Sequence, residues 1–230
     1  MDSFLDSNVI IGHIFCLDSS FEASKKFIFR SDNNFFSLNV KNEVERTFIR
    51  KNTEFDRFLS RLYRKIEHRG DLALLSREYL HKHIKKFDNI GNLDVVDMQY
   101  AFEKMWEHFG FSENQEAFLI RLKLNDFINN FEGTHIVRKN QIFKELYPVP
   151  NHSKKDKLIL DEIKKENLRD TLLHGADEDI LFDANEFCKN NPELNLKFVS
   201  ADQNFLKAID ILRDYLCLKE SINLVEFSSN

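Results

Sequence analysis

Residues that interrupt regular structure are scarce in this chain: 6 glycines and 3 prolines among 230 residues. Collagenous and Gly/Pro-rich disordered classes are thereby excluded. Cysteine is equally rare. Cys16, Cys188 and Cys217 are far apart in sequence, odd in number and set in apolar surroundings, which argues against a disulfide framework or zinc site and for a reducing, cytoplasmic setting. No apolar run approaches the roughly 20 residues that span a bilayer. Asp2 follows Met1 where the basic region of a signal peptide would stand, so a soluble protein with no membrane partner is expected. Neither charge sign dominates: 33 Lys and Arg against 38 Asp and Glu leave a net charge of −5. A wholly basic nucleic-acid coat is excluded, and what matters is how charge is distributed.

What is abundant is phenylalanine, with 23 residues, alongside Lys, Glu, Asp and Asn. That is the balance of a helix-rich soluble protein. Short apolar runs that read as buried strands lie near both ends of the chain: SFLDS, FFSLNV from Phe35, LKFVSA from Leu196 and INLVEF from Ile222. Helical spacings alternate with them, at Phe21 to Ile28, Val44 to Phe48, Ile180 to Phe187 and Phe205 to Leu216. Strand alternating with helix implies a parallel α/β sheet. From residue 51 onward the strand signal fades and amphipathic helices take over, as in Phe55, Phe58, Leu59, Leu62 and Ile66. The YPVPNHS stretch, with two prolines, reads as a loop. The expected organisation is an α/β core from residues 1–50 and 170–230, an open parallel sheet flanked by helices, with a mainly helical insertion over 51–169 packed on it.

In an open parallel sheet, ligands bind beyond the carboxyl ends of the strands. The residues standing there are Asp6 and Asn8, then Glu43 and Glu45, then Asp202 and Asn204. Asp177 opens a further helix with Leu181 and Ala184 on its own face. Singly, each acid has an ordinary reading, Asp6 in a turn, Asp177 and Asp202 as N-caps and Glu43 on a helix surface. Gathered at one edge they would repel, by about 4 kcal/mol for a pair ~4 Å apart at an effective dielectric near 20. A hard divalent cation, Mg²⁺ or Mn²⁺, is the simplest remedy for an all-carboxylate set.

The set resembles the PIN-domain nucleases. Asp6-Ser7-Asn8 ends the first strand, Glu43 opens the helix after the second, Asp177 stands seven residues before Ala184 in DEDILFDA, and Ser200-Ala201-Asp202 ends a later strand before Asn204 and Phe205. The resemblance implies a PIN-like fold and a metal-dependent endoribonuclease that leaves 5′-phosphate and 3′-hydroxyl ends. Asp6, Glu43, Asp177 and Asp202 would be its catalytic residues and its ligands for Mg²⁺ or Mn²⁺. Asn8, Ser200 and Asn204 would orient carboxylates or waters, unless they serve only as turn residues. Glu45 and Asp179 are the alternatives at the second and third positions. RNA, single-stranded or structured, is the expected partner; an inhibitory protein or a homo-oligomer is compatible with the same reading. The competing reading is a catalytically inactive PIN-like scaffold that binds RNA or a protein through the insertion.

Other chemistries lack a motif. There is no nucleophile-base pattern and no Gly-rich phosphate loop, and a haloacid-dehalogenase-like phosphatase would need an acid where Asn8 stands. In the insertion, Arg57, Arg61, Arg64, Lys65 and His68 recur on one face of a helix, opposite its apolar stripe. That ridge is an expected RNA-backbone contact, with Arg50 and Lys51 extending it and Tyr63 beside it to stack a base; an ordinary solvated helix face is the alternative.

Overall fold

The structure is a computed structural model and describes residues 1–218 and 220–227. In chain order the first elements are β1 (Asp2–Leu5), α1 (Ser7–Ile14), α2 (Phe21–Arg30), β2 (Asn33–Ser37) and α3 (Leu38–Glu67). A helical stretch follows with β3 (Leu74–Ser76), α4 (Arg77–Ile84), α5 (Val95–His108), β4 (Asn114–Glu116) and α6 (Ala117–Glu145). The chain continues through β5 (Tyr147–Val149), α7 (Lys157–Lys165), α8 (Leu168–Thr171) and α9 (Asp177–Asn190). It closes with β6 (Lys197–Ser200), α10 (Gln203–Leu212), β7 (Glu220–Asn223) and α11 (Leu224–Phe227).

These elements divide into two compact units. The first takes Met1–Ile14, Ser20–Thr47 and everything from Gln141 onward; the second takes Phe15–Ser19 and Phe48–Asn140. The expected insertion, 51–169, is therefore too long at its far end, because residues 141–169 carry β5 and α7 of the first unit.

The first unit is built on a five-stranded, all-parallel sheet in the order β5-β2-β1-β6-β7, flanked by helices. The runs Ser3-Phe4-Leu5 and Phe198-Val199-Ser200 are fully buried, as expected of parallel strands covered on both faces. Phe4 stands opposite Phe35 on one side and Phe198 on the other, its ring stacked on that of Phe198 at 6.0 Å between centroids. From β1 the chain winds outward through β2 to β5, then returns to the other side of β1 with β6 and β7. The order thus reverses between β1 and β6, where an open sheet leaves a crevice at its carboxyl edge.

Several local expectations are corrected. The YPVPNHS loop contains β5, whose Pro148 is tolerated because the strand lies at the sheet edge and pairs only with β2. Ser7 and Asn8 do not close a turn but begin α1. The INLVEF run is split, with Leu224–Phe227 coiling into α11. Val44 and Phe55 belong to one 30-residue helix, α3. Cys188 and Cys217, distant in sequence, meet with their sulfurs 2.8 Å apart.

The second unit packs Phe55, Phe58, Leu59, Leu62 and Ile66 of α3 with Met98, Phe102, Met105 and Trp106 of α5 and Ile120, Leu124 and Phe131 of α6, all buried. A small antiparallel pair, β3 with β4, was not foreseen. The carboxylate of Glu54, buried, accepts from the Asn92 backbone N–H at 2.9 Å beside Gly91, whose φ of +62° suits glycine. His135 is buried against Phe15 and has its pKa pushed down to about 4, chiefly because burial disfavours its charge.

Candidate functional site

The site lies in the first unit at the carboxyl ends of β1 and β6. The Asp6 backbone N–H donates to the Val199 carbonyl at 3.0 Å, which carries the ladder one step past β1 and sets Asp6 beside Ser200. Asp6 is 3% exposed. Its Oδ1 accepts from the Ser7 backbone N–H at 2.6 Å, and its Oδ2 accepts from Asn8 Nδ2 at 2.6 Å and Ser200 Oγ at 2.7 Å. Asn8 is itself fixed, since its Oδ1 takes the Ala201 backbone N–H at 2.9 Å. Ser200 Oγ also accepts the Asp202 backbone N–H at 2.9 Å. One hydrogen-bonded group thus joins the two ends of the chain.

Asp202 has a second duty. Its Oδ1 caps α10, accepting from the Asn204 backbone N–H at 2.8 Å and that of Phe205 at 3.3 Å. Asn204 contributes that N–H, and its side chain is exposed. Asp177, in the first turn of α9, is buried and accepts the His174 backbone N–H at 2.6 Å. Glu43, in α3, keeps a buried Oε2 with no hydrogen-bond partner among the described residues.

The electrostatics tie these acids together. Burial pushes Asp6 up to about 7; the Ser200 hydrogen bond works against this, and the charges of Glu43 and Asp177 add to it. Burial likewise pushes Asp177 up to about 6, opposed by the His174 N–H and reinforced by the charges of Glu43 and Asp202. Asp6, Glu43, Asp177 and Asp202 form one field of like charge. Neighbouring Glu178 behaves differently: burial would raise its pKa, yet Arg169, at 2.5 Å and 2.9 Å, and Lys155, at 2.7 Å, hold it below the ordinary value.

The alternatives share a hollow. Glu45 and Asp179 line a concavity of about 660 Å³ together with Asn39, Asn42, Arg46, Gly175 and Ala176. Asp179 also pairs with Lys155 at 2.6 Å. Beside them stands a group the sequence did not announce. Asp183, fully buried, accepts from the His152 backbone N–H at 2.8 Å and from Asn39 Nδ2 at 3.0 Å, and lies 2.6 Å from His152 Nδ1. Its three segments are far apart in the chain. The one local signal was an acid amid Ile180, Leu181, Phe182 and Ala184.

For a divalent cation the donor chemistry fits: hard carboxylate oxygens, an unpartnered Glu43 oxygen, and two acids that carry raised pKa values in the absence of a cation. As the side chains stand, among the described residues, no three His, Cys, Asp or Glu groups are placed to hold one ion together. Joint ligation would therefore need side-chain rotation, with Glu43 having the least to give up.

In the second unit Arg57, Arg61, Arg64 and Lys65 are exposed along α3. Tyr63, next to Arg64 in the chain, lines a concavity with Glu67, Asp71, Phe118, Arg121, Leu122 and Asn125. Lys51 is engaged by Asp18. No helix among the described residues is long and apolar enough to cross a membrane. Compared with known proteins, the chain matches no family model, no curated protein and no solved structure.

Proposed function

We propose that this chain is a PIN-like, metal-dependent endoribonuclease, with Asp6, Glu43, Asp177 and Asp202 as the residues that would hold Mg²⁺ or Mn²⁺. The observation that carries the reading is the raised pKa of Asp6 and Asp177, each sensing Glu43, at the crevice where the strand order reverses. When bound, a divalent cation supplies a water of lowered pKa and screens the charge of the phosphodiester. The protein's part is positioning. Ser7, Asn8 and Ser200 hold the Asp6 carboxylate in one orientation, while Asp202 is fixed by α10 and Asp177 by the His174 N–H.

The test is cleavage of a circular single-stranded RNA, which has no ends for an exonuclease. With Mn²⁺, linear product carrying 5′-phosphate and 3′-hydroxyl ends is expected, and EDTA or Asp6→Asn should abolish it. A 2′,3′-cyclic phosphate product, or undiminished cleavage by Asp6→Asn, would overturn the reading. An inactive PIN-like scaffold is favoured by the absence of three converging ligands among the described residues and by the capping duty of Asp202. Calorimetry with Mn²⁺ separates the two, since the scaffold reading predicts no saturable binding.

A further inference from the structure

In the second unit the basic ridge closes into a pocket. Arg61, Arg64, Lys65, His68 and Arg69, from α3 and the residues just after it, line a concavity of about 470 Å³ together with Phe87. No acid lines it. Some other cations of this unit are neutralised: Arg77 by Glu103, Arg121 by Asp71 and Lys51 by Asp18. Among the described residues none of the five lining basic side chains is in an ion pair. Two of them are nonetheless held in place by neutral groups. Arg61 Nη1 donates to the Asp88 carbonyl at 3.3 Å, while Arg69 donates to the Tyr79 hydroxyl with its guanidinium 5.2 Å from the centre of the Tyr79 ring.

A solvated helix face would explain cations spread along α3. It does not explain like charges gathered round a hollow with a half-buried phenyl ring in its wall, because unpaired cations there repel one another. The volume suits a small ligand or one unit of a polymer. Guanidinium forks match phosphate oxygens in pairs, which a lone ammonium cannot do. An aromatic face beside them offers stacking for a flat ring.

We infer that this pocket binds a nucleotide, its phosphate among Arg61, Arg64, Lys65 and Arg69 and its base against Phe87. The ligand is either a free nucleoside monophosphate or a nucleotide within an RNA strand. This goes beyond the proposed nuclease activity, since it concerns binding, lies in the other unit and requires no metal.

The experiment is calorimetric titration of the full chain in EDTA with AMP, adenosine, inorganic phosphate and a short oligoadenylate. EDTA keeps the outcome independent of whether the acidic site is catalytic. AMP is expected to saturate at one site and to bind at least tenfold more tightly than adenosine or inorganic phosphate. Similar affinities for AMP and oligoadenylate assign the pocket to a single nucleotide; much tighter oligoadenylate binding assigns it to the strand. Arg64→Glu with Lys65→Glu, both at exposed positions, should weaken AMP at least tenfold. Phe87→Leu should weaken AMP while leaving inorganic phosphate unchanged. Absence of AMP binding, or AMP affinity unchanged in the double variant, overturns the inference.

Discussion

Asp6 accepts hydrogen bonds that favour its charged form, and its surroundings still favour the neutral one. Burial, with the charges of Glu43 and Asp177 behind it, outweighs three good donors. Such an acid binds its proton more tightly in the folded state. Its contribution to stability is fully present below the ordinary value of 3.8 and is lost as pH climbs toward about 7. In the metal-free protein that loss is on the order of a few kcal/mol. Asp6→Asn removes it at a cost, because an amide NH₂ would face the donors of Ser7 or of Asn8 and Ser200, forfeiting hydrogen bonds of roughly 1 kcal/mol each. The variant is therefore expected to melt below wild type at pH 5 and level with or above it at pH 8.5, in thermal melts with EDTA. His135 acts with the opposite sign, its contribution falling as pH drops from 6.5 toward about 4, but it is common to both proteins and cancels in the difference. A difference in Tm that does not change with pH would show that Asp6 is already ionised in the folded chain at pH 5.

At the scale of the element, α10 shows how a fold duty and a chemical duty can share one residue. Asp202 is its N-cap and also one of the charges felt by Asp177. Asparagine caps as well as aspartate but carries no charge. Asp202→Asn should hold stability within about 0.5 kcal/mol of wild type, whereas Asp202→Ala should lose about 1 kcal/mol, in urea unfolding. If cleavage falls equally in both variants, charge is what the reaction needs; if only the alanine variant loses it, capping is. Four of the five sheet strands were legible from short apolar runs, strand ends drew attention to Asp6, Glu43 and Asp202, and a helix start to Asp177, because each of these depends on local pattern. β5 was hidden by its proline, whose edge position no local pattern reveals. α1 was hidden because Ser7 and Asn8 are also turn formers. The choice of Glu43 over Glu45 as neighbour of Asp6 and Asp177, and the joining of His152 with Asp183, depend on how α3 and α9 are rotated and on contacts between distant segments.

Across the whole molecule, two of the breaks between the two units cut through helices, while the other two bracket the short connection between α1 and α2. α3 has residues on both sides of the break at Thr47 and Phe48, and α6 on both sides of the break at Asn140 and Gln141. Unfolding one unit alone would leave each helix with a newly exposed end inside a hydrogen-bonded run, where fraying spreads because helix formation is cooperative. A single transition is therefore expected, and the chain offers a clean probe of it. Trp106 is the sole tryptophan and is buried in the second unit. Ile209, buried in α10 of the first unit, can be shortened to alanine at a cost of about 2–5 kcal/mol. In urea, Ile209→Ala should lower the tryptophan-fluorescence midpoint as much as the far-ultraviolet circular-dichroism midpoint, because loss of the first unit pulls both shared helices down with it. A fluorescence midpoint unmoved by Ile209→Ala would mean that the second unit unfolds by itself, and that α3 and α6 give way at the boundaries between units while their remaining turns hold.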